Sequence, residues 1–193
     1  TGVSYMIPFV AGGGLLIALG FLLGGFEING VAGDIVVNNA LWNLPDGGLS
    51  EYLGAVAFAI GNASMAFLVP ALAGYIAFAI ADRPGIAPGF VAGSVALIMS
   101  AGFIGGIVGG LLAGLAAWWL GRLKVWRWVR GLMPVVIIPL LGSIFASGLL
   151  LLVLGAPIAA LMNLLEGGLT NLAESGLLPV VGIILGLMMC FDL

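Results

Sequence analysis

The chain has 193 residues, of which 63% are hydrophobic and 7% charged, with a formal net charge of −3. Soluble domains carry about 25% charged residues and still expose roughly 30% of their chain surface, so this composition excludes a soluble fold and places the chain in lipid. It has no histidine and a single cysteine, Cys190, which excludes a phosphohistidine, an intrachain disulfide and a conventional zinc or haem site, while the lack of a basic stripe argues against nucleic acid.

A membrane-spanning helix needs about 20 mostly apolar residues. Residues 5–26 form the first candidate, with Pro8 tolerated near its first turn. Residues 27–50 read as a polar loop with Glu27, Asp34, Asp46, several asparagines, Pro45-Asp46-Gly47-Gly48 and no cation. Residues 51–81 exceed one span, so that helix should tilt, kink at Pro70 or extend past the bilayer. Residues 82–89 hold two prolines and read as a turn-rich loop. Residues 90–101 are apolar but short. At ~1.5 Å per residue they rise about 18 Å, against a hydrocarbon core of ~30 Å.

Residues 102–120 are long enough to span, and a basic loop follows at residues 121–130. Residues 132–154 form a clear span with Pro134 and Pro139 in its first half. Residues 155–175 are mixed and carry Glu166 and Glu174. They suit an interfacial helix or a re-entrant hairpin. Residues 176–193 begin a last span. The expectation is an all-α, polytopic helical membrane protein with about six membrane segments, some short or re-entrant. The chain starts without Met on a helical pattern and stops beside an apolar run. It therefore reads as one partial transmembrane domain, residues 1–193, that continues beyond Leu193.

The five cations act as topology marks. Arg122, Lys124, Arg127 and Arg130 lie within nine residues, and Arg83 stands alone in Ala81-Asp82-Arg83-Pro84-Gly85. Cytoplasmic loops carry the Lys and Arg excess. If both groups are cytoplasmic, the chain between them crosses an even number of times or dips in and returns. Residues 90–101 and 102–120 meet that parity. The acidic residues 27–50 and residues 155–175 then fall outside, and both Thr1 and Leu193 fall inside. Trp118, Trp119, Trp126 and Trp128 flank the basic loop as an interfacial aromatic belt.

Glycines recur at every fourth residue, Gly102, Gly106, Gly110 and Gly114, beside a second row of Gly105 and Gly109. Such a ridge lets another helix approach closely. Packing inside one subunit is the simpler reading, with a dimer contact or moving surface as the alternative. Asn62 and Ser64 interrupt an apolar helix. They suit either an interhelix hydrogen bond or contact with a sugar, whose hydroxyls match amide and hydroxyl groups. Asp82 and Arg83 beside two prolines suit a helix stop with a local ion pair, or a cytoplasmic gate or docking element. Asp192 ends an apolar run, as an interfacial helix end or a functional intramembrane acid. Cys190 has no nearby cation and reads as packing.

Three stretches carry a family resemblance. One is the opening run Thr1-Gly2-Val3-Ser4-Tyr5-Met6-Ile7-Pro8-Phe9-Val10 with Gly12-Gly13-Gly14-Leu15-Leu16-Ile17-Ala18. The second is Ala81-Asp82-Arg83-Pro84-Gly85-Ile86-Ala87-Pro88-Gly89-Phe90, followed by Gly102-Phe103-Ile104-Gly105-Gly106-Ile107. The third is the ending Gly186-Leu187-Met188-Met189-Cys190-Phe191-Asp192. Together they resemble the N-terminal part of enzyme IIC, the membrane component of fructose-type bacterial phosphotransferase systems (PTS).

The resemblance implies a multi-pass protein of the bacterial inner membrane, without a cofactor or metal. Such a component carries a sugar, here fructose or a relative, to the inner face, where it leaves as a phosphate ester. The phosphoryl donor is a phosphocysteine on a separate IIB domain. A secondary sugar transporter without phosphorylation is the alternative, and a non-transporting scaffold is a third. The expected partners are the sugar, the phosphorylated IIB domain, membrane lipid and a second copy of the chain. The family's Gly-Ile-Thr-Glu motif does not occur in residues 1–193, so no catalytic residue carries over. Asn62 and Asp192 remain candidate sugar contacts. Asp82, Arg83, Arg122, Lys124, Arg127 and Arg130 remain candidates for a cytoplasmic gate or IIB docking.

Overall fold

The computed structural model describes residues 2–174, 176 and 178–191. Among them the regular elements are helices, apart from one isolated bridge between Ala40 and Asn43. Four helical runs are long and apolar enough to cross a membrane: Gly2–Gly24, Gly48–Ala81, Gly102–Gly121 and Met133–Glu174. Arg83–Ile98 and Leu178–Leu187 are shorter apolar helices. The chain is thus an all-α, multi-pass membrane protein. It divides into two compact units, Ser4–Leu68 and the combination of Thr1–Val3 with Val69–Leu193.

The first unit holds most of α1 (Gly2–Gly24), α2 (Ile28–Asn38) and α3 (Gly48–Ala66). Helices α1 and α3 run antiparallel at close range. A Cβ built on Gly13 would lie 3.0 Å from the Gly61 carbonyl, and one on Gly20 would lie 3.0 Å from the Gly54 carbonyl. Hydroxyls fasten both ends: Ser64 Oγ donates to the Phe9 carbonyl at 3.0 Å and Ser50 Oγ to the Leu23 carbonyl at 2.8 Å. Phe21 meets Phe58 edge-on, with centroids 5.3 Å apart.

Helix α2 corrects the expected loop over residues 27–50. Ile28, Ala32 and Ile35, spaced i, i+4 and i+7, form a buried stripe against Ala55 and Phe58. One apolar stripe suffices to hold a short helix on a partner, although Gly30, Gly33 and Asp34 lower its intrinsic propensity. The second run is interrupted at Phe67, between α3 and α4 (Leu68–Ala81), and not at Pro70. Pro70 then sits within the first turn of α4, where a missing N–H costs little.

The second unit is built on α4, α5 (Arg83–Ile98) and α6 (Gly102–Gly121). The expected loop over residues 82–89 is also corrected. The chain reverses at Asp82 alone, and Arg83 already opens α5 with Pro84 in its first turn. Pro88 lies inside α5 and is fully buried. Helices α4 and α5 pair antiparallel through Gly85 on Ala77, Gly89 on Gly74 and Gly93 on Pro70. Helices α5 and α6 pair antiparallel through Ala96 on Gly105 and Ala92 on Gly109.

Gly106, Gly110 and Gly114 face Val69, Ala73 and Ala77 of α4 in parallel register. The two glycine rows of α6 therefore serve two different neighbours within this unit. Gly102 leaves the row: it has φ +51° and faces Met162.

Beyond the basic loop, one helical run of 42 residues extends from Met133 to Glu174. It comprises a π-helical turn at Met133–Ile137, α7 (Ile138–Leu149), a second π turn at Leu150–Leu154 and α8 (Gly155–Glu174). Gly155–Glu174 form one continuous helix and not a hairpin. Pro139 and Pro157 each follow a π turn closely, and the wider turn accommodates a ring that lacks an N–H. Ala146 of α7 packs with Ala77, Ala92 and Ala113, while Ile138 packs with Ala117 and Leu120. Helix α9 (Leu178–Phe191) follows.

Candidate functional site

The positive charges gather at one end of the second unit. Arg83 is the first residue of α5, and Arg122 directly follows α6. The antiparallel α5–α6 register places both at the same end of the hairpin. The basic loop is tied down there by its apolar members. Val125 and Val129 pack, with Ala81, against the core of Ala117, Leu120, Met133 and Ile138. Arg122, Lys124, Arg127 and Arg130 are left exposed. Arg122 lies over the Trp118 ring with its Cζ 3.7 Å from the ring centroid. A contact of this kind is worth about 0.5–1 kcal/mol at an exposed site and fixes where the guanidinium points.

Asp82 holds a conformation that side chains rarely adopt, with φ 55° and ψ −151°. Its N–H donates to the Phe78 carbonyl at 2.8 Å, and its own carbonyl accepts from the Gly85 N–H at 3.0 Å. These bonds close the last turn of α4 and open the first of α5, so the surrounding helices impose the strain. Such strain costs on the order of 1–3 kcal/mol and concentrates at functional positions. Asp82 and Arg83, with Phe78, Pro84, Pro134 and Val135, line an open cleft of about 570 Å³. The sequence singled out Asp82 and Arg83 but gave no hint of Pro134 and Val135, which arrive from beyond the basic loop.

In the first unit, Asn62 lines a separate, uncharged cleft of about 350 Å³ with Asn29, Gly33 and Phe58 among its walls. The sequence does not single out Asn29, because residues 27–50 read as a loop. The signal was available in the helical spacing of Ile28, Ala32 and Ile35 beside it. Of the two readings for Ser64, the interhelix hydrogen bond is the one observed, from its Oγ to the Phe9 carbonyl of α1. Asp192 lies outside the described residues. Asp82 and Arg83 thus line a charged cleft and Asn62 an amide-lined cleft in the other unit, while Arg122, Lys124, Arg127 and Arg130 line neither.

Over 196 residues the chain is 52% identical to the PTS system fructose-specific EIIB'BC component of Xanthomonas campestris pv. campestris, covering all of this chain and 31% of that protein. It is 35% identical over 193 residues to the Fructose-like permease IIC component 2 of Escherichia coli K12, covering all of this chain and 49% of that protein. It is 36% identical over 210 residues to the PTS system fructose-specific EIIC component of Haloferax volcanii, covering all of this chain and 52% of that protein. The chain therefore spans between about a third and a half of these curated relatives. No family model matches it. No solved structure matches it significantly.

Proposed function

This chain is a homologue, along its whole length, of fructose-type phosphotransferase EIIC membrane components, and from that premise we propose that it forms part of a permease that couples sugar uptake to phosphorylation. The observation that carries the proposal is this whole-length identity with relatives named as fructose-specific PTS components. Fructose is the proposed substrate. A IIB domain is the proposed phosphoryl donor, in keeping with the B segment in the name of the Xanthomonas relative.

The reaction transfers a phosphoryl group from a IIB cysteine to a sugar hydroxyl. The P–S bond breaks, a P–O bond forms, and the hydroxyl proton is released. Such transfers depend on positioning and charge stabilisation more than on covalent help from the protein. The gathering of five cations at one end supports a cytoplasmic mouth there, since cytoplasmic surfaces carry the Lys and Arg excess. Thr1 then lies on the cytoplasmic side.

Asp82 and Arg83 form the proposed gate of that mouth, and Arg122, Lys124, Arg127 and Arg130 offer docking charge to the IIB domain. Asn62, joined by Asn29, offers the sugar neutral donors and acceptors, and Asp192 is a further candidate contact. The functional unit is a homodimer in lipid. The test uses sealed vesicles holding the full-length protein. Fructose should appear inside as its phosphate ester when phosphorylated IIB is supplied. Entry of unmodified fructose driven by an ion gradient, without a phosphoryl donor, would select the secondary-transporter alternative.

A further inference from the structure

Helix α6 closes on α4 and α5 with glycine and alanine, but its opposite face carries large side chains and does not close. Leu115, Trp119 and Leu120 of α6 and Leu141, Ile144 and Phe145 of α7 line an open groove of about 550 Å³. No charged, hydroxyl or amide side chain lines it. Along the same pair of helices, Ala113 and Ala146 belong to one buried cluster, and Leu120 and Ile138 to another nearer the basic end.

Arg122 stands one turn beyond Trp119, bonded through its N–H to the Trp119 carbonyl at 3.1 Å. Its guanidinium is already oriented by Trp118. Lys124 follows two residues later. Between Asp82 and Glu166 the sequence contains no carboxylate, so α6, the basic loop and α7 carry no acid, and Asp82 is a carboxylate at this end contributed by the α4–α5 reversal.

We propose that this groove holds one anionic membrane phospholipid, an acyl chain lying along it and the phosphate on Arg122 with Lys124 alongside. Large apolar side chains face acyl chains, whereas faces that meet other helices are enriched in small residues. Here the small residues of α6 are already used against α4 and α5, which favours lipid over another helix as the occupant. Apolar fit alone gives no selectivity inside a bilayer, because lipid tails are as apolar as leucine. Selectivity comes from the headgroup. Exposed Trp118 and Trp119 set the interfacial level, and basic sites beside transmembrane helices attract anionic lipid. Arginine suits the role because its planar fork pairs two phosphate oxygens. The proposal rests on the membrane fold and stands apart from the sugar reading.

The test is native mass spectrometry of the full-length protein in detergent, titrated with phosphatidylglycerol or with phosphatidylcholine of the same acyl chains. One phosphatidylglycerol per protomer should be retained, at least about fivefold better than phosphatidylcholine. R122Q should abolish that preference while the protein stays folded, because Arg122 is exposed. L141W, which fills the groove, should lower retention of both lipids. If L141W fails to fold, R122Q decides alone. Equal retention of the two lipids overturns the proposal. So does retention unaffected by R122Q, or by a folded L141W, the latter meaning that another part of the protein or a second copy covers the groove.

Discussion

The two faces of α6 use opposite solutions to life in a membrane. One face is bare: Gly106, Gly110 and Gly114 let α4 come so near that a Cβ on Gly110 would lie 2.7 Å from the Ala73 carbonyl oxygen. The other face bears Leu115 and Trp119 and leaves a groove against α7. Lipid gives helices no hydrophobic reason to associate, so close van der Waals contact must supply the attraction. Residue size on α6 therefore decides which side meets protein and which side meets acyl chains.

The sharpest way to break this contrast is to exchange the sizes. Gly110→Leu should destabilise the fold by several kcal/mol, because its added atoms meet the backbone of Ala73 rather than a flexible side chain. Leu115→Ala on the opposite face should stay within about 0.5 kcal/mol. Thermal unfolding of the full-length protein in detergent checks both, and equal effects would refute the division of faces. A smaller effect tests the reversal that aligns α4 with α5. Asp82→Gly should raise the melting temperature, with a net gain of about 1 kcal/mol once glycine's unfolded-state entropy is set against the relieved strain. Asp82→Ala should give no gain, since alanine carries the same Cβ penalty at φ 55°.

Much of this architecture is legible in the residue pattern. The long apolar runs, the short segment after Arg83 and the glycine rows announce themselves, because span length and side-chain volume are local properties. Two misreadings have a common cause. Residues 27–50 and 82–89 are rich in Gly, Pro, Asn or Asp and read as loops, yet α2 and the start of α5 are helical there. In α2 the tertiary stripe of Ile28, Ala32 and Ile35 overrides weak propensity. At Asp82 one residue makes the whole turn, so the prolines fall inside the helix instead of before it. The candidate cleft was half visible. Asp82 and Arg83 stand out as charges, but Pro134 and Val135 join them through chain folding about 50 residues away, which no local pattern encodes.

The proposed cytoplasmic mouth requires Arg83 and the Arg122–Arg130 loop to share one face of the membrane. The direct measurement is labelling by a membrane-impermeant thiol reagent in sealed, oriented vesicles. It uses the full-length protein in a Cys190→Ser background freed of other cysteines. The account predicts that Arg83→Cys and Lys124→Cys react from the cytoplasmic face and Asp34→Cys from the opposite face. Labelling of Arg83→Cys and Lys124→Cys from different faces, or of both from the outer face, would contradict it.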